Sequence, residues 1–275
     1  MMNINLNSYL RRIKFSGDLT PTFDLLNRIT EAHAKAIPFE NIDAVLGIPI
    51  QLSPEAIFEK LVTNDRGGYC FEQNGLLLSV LETLGFHVRP VSGRVRLRFT
   101  ERSQVGPRTH VFLRVEIGEE SFLTDVGMGS ASLTGALRLI EDLEQQTPHD
   151  MRRIVRESGL YYHQVRYDGI WKDACEFTLE EMPLIDREIA NWYTSTHPQS
   201  HFKDRLVAAR ARENGDRLSL ENFDFTVRPK NAEAVKKKLG SFDELIEVLR
   251  NEFGLQLSEA ACKGIKGLPF LRSIS

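Results

Sequence analysis

Two periodicities divide the chain. As far as about residue 85, apolar residues recur at helical spacing. The segment 20–37, TPTFDLLNRITEAHAKAI, opens with Thr20 as a cap and Pro21 in the first turn, and aligns Phe23, Leu26 and Ile29 on one face. The segment 53–63 repeats the recipe with Ser53, Pro54, Ile57 and Leu61. A third helix is predicted over 70–85, closed by Gly85. From about 86 to 180 the period becomes two: Val91, Gly93, Val95, Leu97 and Phe99 alternate with Ser92 and three arginines. THVFLRVEI (109–117), SFLTDV (121–126), RRIVRE, LYYHQVRY and WKDACEFTL continue the strand-like series, and short turns without intervening helices suggest an antiparallel barrel or sandwich. From about 190 the two patterns mix. FDFTVRP (223–229) reads as a strand, and 241–254 as a helix capped by Ser241 and stopped by Gly254.

Composition narrows the function classes. The chain has 275 residues, enough for one large or two to three small domains, and carries a formal charge of −3. Neither nucleic acid nor an anionic membrane is favoured by that charge. The basic clusters RVRLR (94–98) and KKK (236–238) read as solvated faces. Cys70, Cys175 and Cys262 are odd in number and far apart, which argues against a disulfide framework or a structural zinc site and suits a reducing cytosol. The first 15 residues lack the apolar core of a secretion signal, and no apolar run approaches the roughly 20 residues that span a bilayer. A cytoplasmic protein is expected, with no metal.

Chemistry concentrates at RGGYCFEQN (66–74). Gly67 and Gly68 let the chain turn sharply just before the third helix, whose first residue is about Cys70. A thiol there meets free backbone N–H groups and the positive end of the helix dipole, which favour thiolate. A buried structural cysteine is the alternative reading. A nucleophile also needs a base. His110 opens an alternating strand, and a two-residue loop at Gly118-Glu119 would place Asp125 opposite Phe112 and diagonal to His110 on the same sheet face. A carboxylate on one imidazole nitrogen leaves the other free for a thiol. Read otherwise, His110 is a strand-end histidine and Asp125 merely starts a glycine turn. His197 reads as part of a helix-ending turn and His33 as a packing or surface residue.

These residues resemble the arylamine N-acetyltransferase family. AIPFENID (36–43), RGGYCFEQN, THVFLRV with LTDVGMG, and NWYTSTHPQSHF (191–202) are similar to four of its motifs, in order. The resemblance implies an α+β fold: a helical bundle (1–85) carrying the nucleophile, an antiparallel β-barrel (86–190) carrying His110 and Asp125, and an α/β lid (191–275), with a Cys-His-Asp core like that of cysteine proteases. It implies ping-pong transfer from acetyl-CoA, as co-substrate, through a thioester on Cys70 to an arylamine, hydrazine or arylhydroxylamine. It further implies that Phe39, Tyr69 and Phe202 line the acceptor pocket, and that Gly127 and Gly129 lie beside the acyl donor. Met128 departs from the phenylalanine frequent in the family, which bears on acceptor preference. Glu40 and Arg66 are expected to form a buried pair. Three other readings compete: an amide synthase of the same family, a papain- or transglutaminase-like thiol hydrolase, and a non-catalytic binding module. Nothing in composition or spacing separates xenobiotic acetylation from a biosynthetic role.

Overall fold

The computed structural model describes residues 4–230 and 232–271. The start of the N-terminal stretch judged to lack a secretion signal, and the end of the segment 191–275, lie outside those residues. The N-terminal region is helical: α1 (Leu6–Arg12), α2 (Phe23–Ala36), a two-residue strand β1 (Phe39–Glu40), α3 (Ile42–Leu46), α4 (Pro54–Phe58) and α5 (Cys70–Thr83). The cap of α2 is Thr22, whose hydroxyl accepts the Leu25 N–H at 3.3 Å, so the helix starts two residues later than the pattern suggests. The predicted helix at 53–63 is α4 followed by a wide π turn over Glu59–Thr63. Helix α5 is buried nearly all round, from Cys70 to Leu81, and forms the spine of the bundle.

Eight antiparallel strands follow: β2 (His87–Val95), β3 (His110–Ile117), β4 (Glu120–Thr124), β5 (Leu137–Arg138), β6 (Gln145–Gln146), β7 (Met151–Glu157), β8 (Leu160–Tyr167) and β9 (Ile170–Glu181). Their order is β5-β4-β3-β2-β9-β8-β7-β6. The sheet is nearly closed. The Gln145 carboxamide accepts the Arg138 N–H at 2.8 Å and donates to the Arg138 carbonyl at 3.0 Å, tying one edge to the other. The hairpin loop is Gly118-Glu119, with Ile117 opposite Glu120 and Leu113 opposite Thr124, the register that the two-residue loop predicts.

The alternation read through 91–99 does not hold to its end. Strand β2 stops at Val95, and Arg96 is buried (2 % exposed) while Val95 and Leu97 are partly exposed. The Arg96 guanidinium is held by Glu176 and by the Glu101 and Gln104 carbonyls, so it organises the 96–106 loop. RVRLR is therefore not a solvated face. Burying a guanidinium is tolerable because its fan of donors is largely satisfied. Lys236–Lys238 do lie exposed, on the edge strand of a second sheet, where lysines discourage edge pairing.

The C-terminal region comprises α6 (Leu184–Thr196), β10 (Val207–Ala211), β11 (Arg217–Glu221), β12 (Asp224–Arg228), β13 (Val235–Lys238), α7 (Phe242–Asn251) and α8 (Glu259–Lys266). Its sheet runs β1-β10-β11-β12-β13, so the N-terminal region lends it an edge strand through the pairs Phe39 with Ala209 and Glu40 with Ala208. One apolar cluster lies under the bundle, a second under the C-terminal sheet, a third inside the barrel, and a fourth around Cys70 where all three meet. No helix among the described residues is long and apolar enough to cross a membrane.

Candidate active site

The double glycine explains how Cys70 is presented. Glu40 N–H bonds to the Gly68 carbonyl at 3.1 Å, so the stretch before α5 lies against Pro38–Glu40. A Cβ on Gly67 would strike the Pro38 carbonyl oxygen, which is backbone and cannot yield cheaply. The chain then enters α5 at Tyr69, whose N–H is capped by the Glu72 carboxylate at 3.1 Å. Cys70 is the first helical residue, 4 % exposed, so its amide has no partner within the helix. Its Sγ donates to the Thr109 carbonyl at 3.7 Å, one residue before His110.

His110 opens β3, and Asp125 follows the last paired residue of β4. The His110 Nε2 lies 2.7 Å from Asp125 Oδ2, both side chains buried. That contact leaves Nδ1 for the sulfur. Burial alone would make imidazolium unfavourable, yet the Asp125 carboxylate, with hydrogen bonds to Asp125 and Cys70, pushes His110 up to about 10. Burial also opposes the Asp125 charge, but His110, Asn74 and the Gly127 N–H together hold its carboxyl below the usual range. The structure thus bonds Asp125 to His110, and bonds the Cys70 sulfur to the carbonyl of Thr109, the residue just before that histidine. Asn74 joins them too, through 2.8 Å to Asp125 Oδ1, a residue that the sequence reading passed over. Its position one helical turn after Cys70, inside a quoted motif, was the available signal.

A buried ionic network lies beside this chain. Arg66 donates twice to Glu40 Oε1, at 2.7 and 3.1 Å, and once to Asp43 at 3.1 Å. Lys60 bridges Asp43 and Glu72, each at 2.6 Å. The expected Glu40–Arg66 pair is formed, within a cluster of three acids and two bases. Burial, with Glu40 adding like charge, outweighs Lys60 and raises the Glu72 carboxyl above its ordinary value.

The aromatic residues surround the nucleophile. Phe39 and Tyr69 are buried in the cluster that holds Cys70, and half-buried Phe202 packs on both, with ring centroids 6.1 Å from Phe39 and 5.9 Å from Tyr69. Tyr69 also bonds through its hydroxyl to Asn191 on α6. Gly127 has a visible packing duty: a Cβ there would lie 2.6 Å from the Cys70 Cα and 2.7 Å from the Asn74 amide. Gly129 follows at φ +60, opening a short turn beside Phe39. Met128 is buried in the barrel cluster. His197 ends α6 and stacks on Tyr193, and His33 is buried between Tyr9 and Gln73. A cleft of about 420 Å³ is lined by Arg108, Thr109, Met182, Ile189, Ala190 and Tyr193, neighbours of the Cys70 cluster. A groove of about 530 Å³ between α7 and α8 is larger; none of Cys70, His110 and Asp125 lines either one. Among the described residues, no group of three or more His, Cys, Asp or Glu is arranged to hold a metal ion.

An N-acetyltransferase family model matches residues 22–262. The arylamine N-acetyltransferase of Escherichia coli is 40 % identical over 93 % of this chain and 90 % of its own length. The chain belongs to the arylamine N-acetyltransferase family. The Mycolicibacterium smegmatis relative is 37 % identical over 96 % of this chain and 97 % of its own, and a solved structure of an arylamine N-acetyltransferase from that organism superposes with a TM-score of 0.92, covering 98 % and 100 % of the two chains at 36 % identity. The Mycobacterium marinum enzyme, solved in complex with CoA, has a TM-score of 0.90 at 32 % identity, covering 96 % and 99 %. The family membership makes this protein an acyltransferase.

Proposed function

We propose that the protein moves an acetyl group from acetyl-CoA to arylamines, hydrazines or arylhydroxylamines, in two half-reactions joined by an acetyl thioester on Cys70. The observation that carries this reading is the buried His110–Asp125 pair beside a Cys70 whose sulfur bonds the Thr109 carbonyl, in a chain whose relatives are arylamine N-acetyltransferases. Cys70 attacks the acetyl carbonyl carbon. The bond from that carbon to the CoA sulfur then breaks, and CoA leaves as a thiolate that can take its proton from His110. In the second half, His110 accepts a proton from the attacking amine while the acyl carbon releases the Cys70 sulfur. Asp125 fixes the ring so that Nδ1 faces the sulfur throughout. The Cys70 amide, unpaired within the first turn of α5, donates to the developing oxyanion.

Phe39, Tyr69 and Phe202 form the apolar wall against which a flat acceptor stacks, with Gly127 and Gly129 on the donor side. A sulfur this enclosed admits a slender acyl chain more readily than a polypeptide, which supports transfer over peptide hydrolysis. The division into bundle (1–85), barrel (86–190) and lid (191–275) belongs to the same reading, supported by the two separate sheets. A cytoplasmic location is supported by three unpaired cysteines. Initial rates measured while both substrates are varied test the order of events. Parallel reciprocal lines are expected, and intersecting lines would refute release of CoA from a covalent intermediate before the amine reacts.

A further inference from the structure

We propose that Asn74 is the positioning residue of this site, a carboxamide on the nucleophile's own helix that fixes the acid and the base relative to the sulfur. The inference rests on the acetyl-transfer reading above. Asn74 sits one turn after Cys70 on α5 and is buried. Its Nδ2 donates to Asp125 Oδ1 at 2.8 Å and to the Val111 carbonyl at 2.7 Å, and its Oδ1 accepts the Val126 N–H at 3.0 Å. Val111 follows His110 and Val126 follows Asp125 in the chain. One side chain therefore grips the backbone beside the base, the backbone beside the acid, and the acid itself. Both amide protons are used, so the group has a single orientation and little freedom to rotate.

The division of labour on Asp125 follows. Its Oδ1 is filled by Asn74 and by the Gly127 N–H at 2.9 Å, which leaves Oδ2 to His110. A carboxylate with fewer donors could swing, share both oxygens with the ring, and let Nδ1 turn from the sulfur. The donors also stabilise the charged form, and in a dry setting that matters more than in water. The titratable groups that interact with Asp125 are His110 on one side, and His163 and Cys175 from the barrel interior. Burial, with Arg152 nearby, pushes His163 down to about 3, and burial raises the Cys175 thiol. Both interior groups are thus uncharged near neutral pH, and Asn74 is the side chain besides His110 that stabilises the carboxylate.

The test is the rate of single-turnover acetylation of Cys70 by acetyl-CoA, followed against pH in wild type, Asn74→Ala and Asn74→Asp, with Leu78→Ala as the packing control. Asn74→Asp keeps size and the acceptor for Val126 but sets a second carboxyl against Asp125, so the two share a proton. The expected result is a plateau rate at least about ten-fold lower in both Asn74 variants, and an acidic limb displaced upward by about one pH unit, more in Asn74→Asp. Leu78, buried on the same helix away from the site, should lower Tm and leave the limb in place. An unmoved limb in the Asn74 variants, or an equal displacement in Leu78→Ala, would overturn the assignment. So would failure of both Asn74 variants to fold, because the carboxamide would then determine the fold and not tune a formed site. If wild type itself is never acetylated, the proposed function fails first; if it is acetylated and the limb stays put, only the role of Asn74 is lost.

Discussion

At the scale of single residues, the site is a problem of keeping charge where water is absent. His110 and Asp125 are both buried, and each makes the other's charge tolerable. Removing one partner should therefore cost far more than an exposed pair would. Asp125→Asn keeps the shape but removes the negative charge that holds His110 protonated, and kcat/KM should fall by about 10²–10⁴-fold. Steady-state rates near neutral pH check this, and a loss below ten-fold would show that the carboxylate does not orient the base. The His110–Asp125 contact was readable because its spacing fits a hairpin. Asn74 was not, because a lone asparagine inside a helix has many duties, and only the folded contacts single out this one. Arg96 was misread for a related reason. Its burial depends on loop carbonyls from Glu101 and Gln104, which no strand pattern announces.

Elements hold these residues through a few close fits. The hairpin of β3 and β4 was legible from Gly118-Glu119, and its register carries Asp125 to His110 without a further device. The pairing of Phe39–Glu40 with β10 was illegible, since a two-residue strand has no periodicity to read. Two predictions belong here. Gly127→Ala would push a methyl group into the start of α5, where the nearest atoms are the Cys70 backbone and the Asn74 amide. A destabilisation of about 1–3 kcal/mol is expected, with a larger fractional loss of acetylation than of folded protein; a variant with wild-type Tm and activity would contradict the close approach. Glu40→Gln leaves Arg66 facing an uncharged amide in a buried network, and also weakens the 2.6 Å bond to the Ile42 N–H. Stability should drop by about 3–5 kcal/mol, read as denaturant midpoint at constant slope, and an unchanged midpoint would make the pair dispensable.

The whole molecule should be sensitive to acid. His33, His149 and His163 are buried, and burial pushes His33 and His149 down to about 4 and His163 to about 3. Their neutral forms are built into the fold, so each contributes stability that is present above the unfolded value of 6.5 and is lost as pH falls toward the folded value. Each group can cost up to about 1.4 kcal/mol per pH unit, so Tm should decline steeply between pH 6.5 and 4. A Tm flat across that range would mean that these rings are not buried neutral. One of them lies at a joint, where His149 bonds the Arg212 carbonyl, whereas His33 links Tyr9 to Gln73 of the nucleophile motif within the helical region. Acid should thus loosen the contacts between regions as well as the regions themselves. The succession of a helical region, an eight-stranded sheet and a mixed region was legible as a change of period along the chain, whereas the outward apolar stripe of α6, including Trp192 at 61 % exposure, has no counterpart in that reading.

The proposed function makes the Cys70 sulfur the carrier of the acyl group between two substrates. The most direct check is the intact mass of the protein after brief exposure to acetyl-CoA with no amine present, followed by peptide mapping. One added acetyl group on Cys70, discharged when an arylamine is supplied and absent in Cys70→Ala, is the predicted result. An unmodified protein that still acetylates arylamines, or an adduct that persists in Cys70→Ala, would contradict the account.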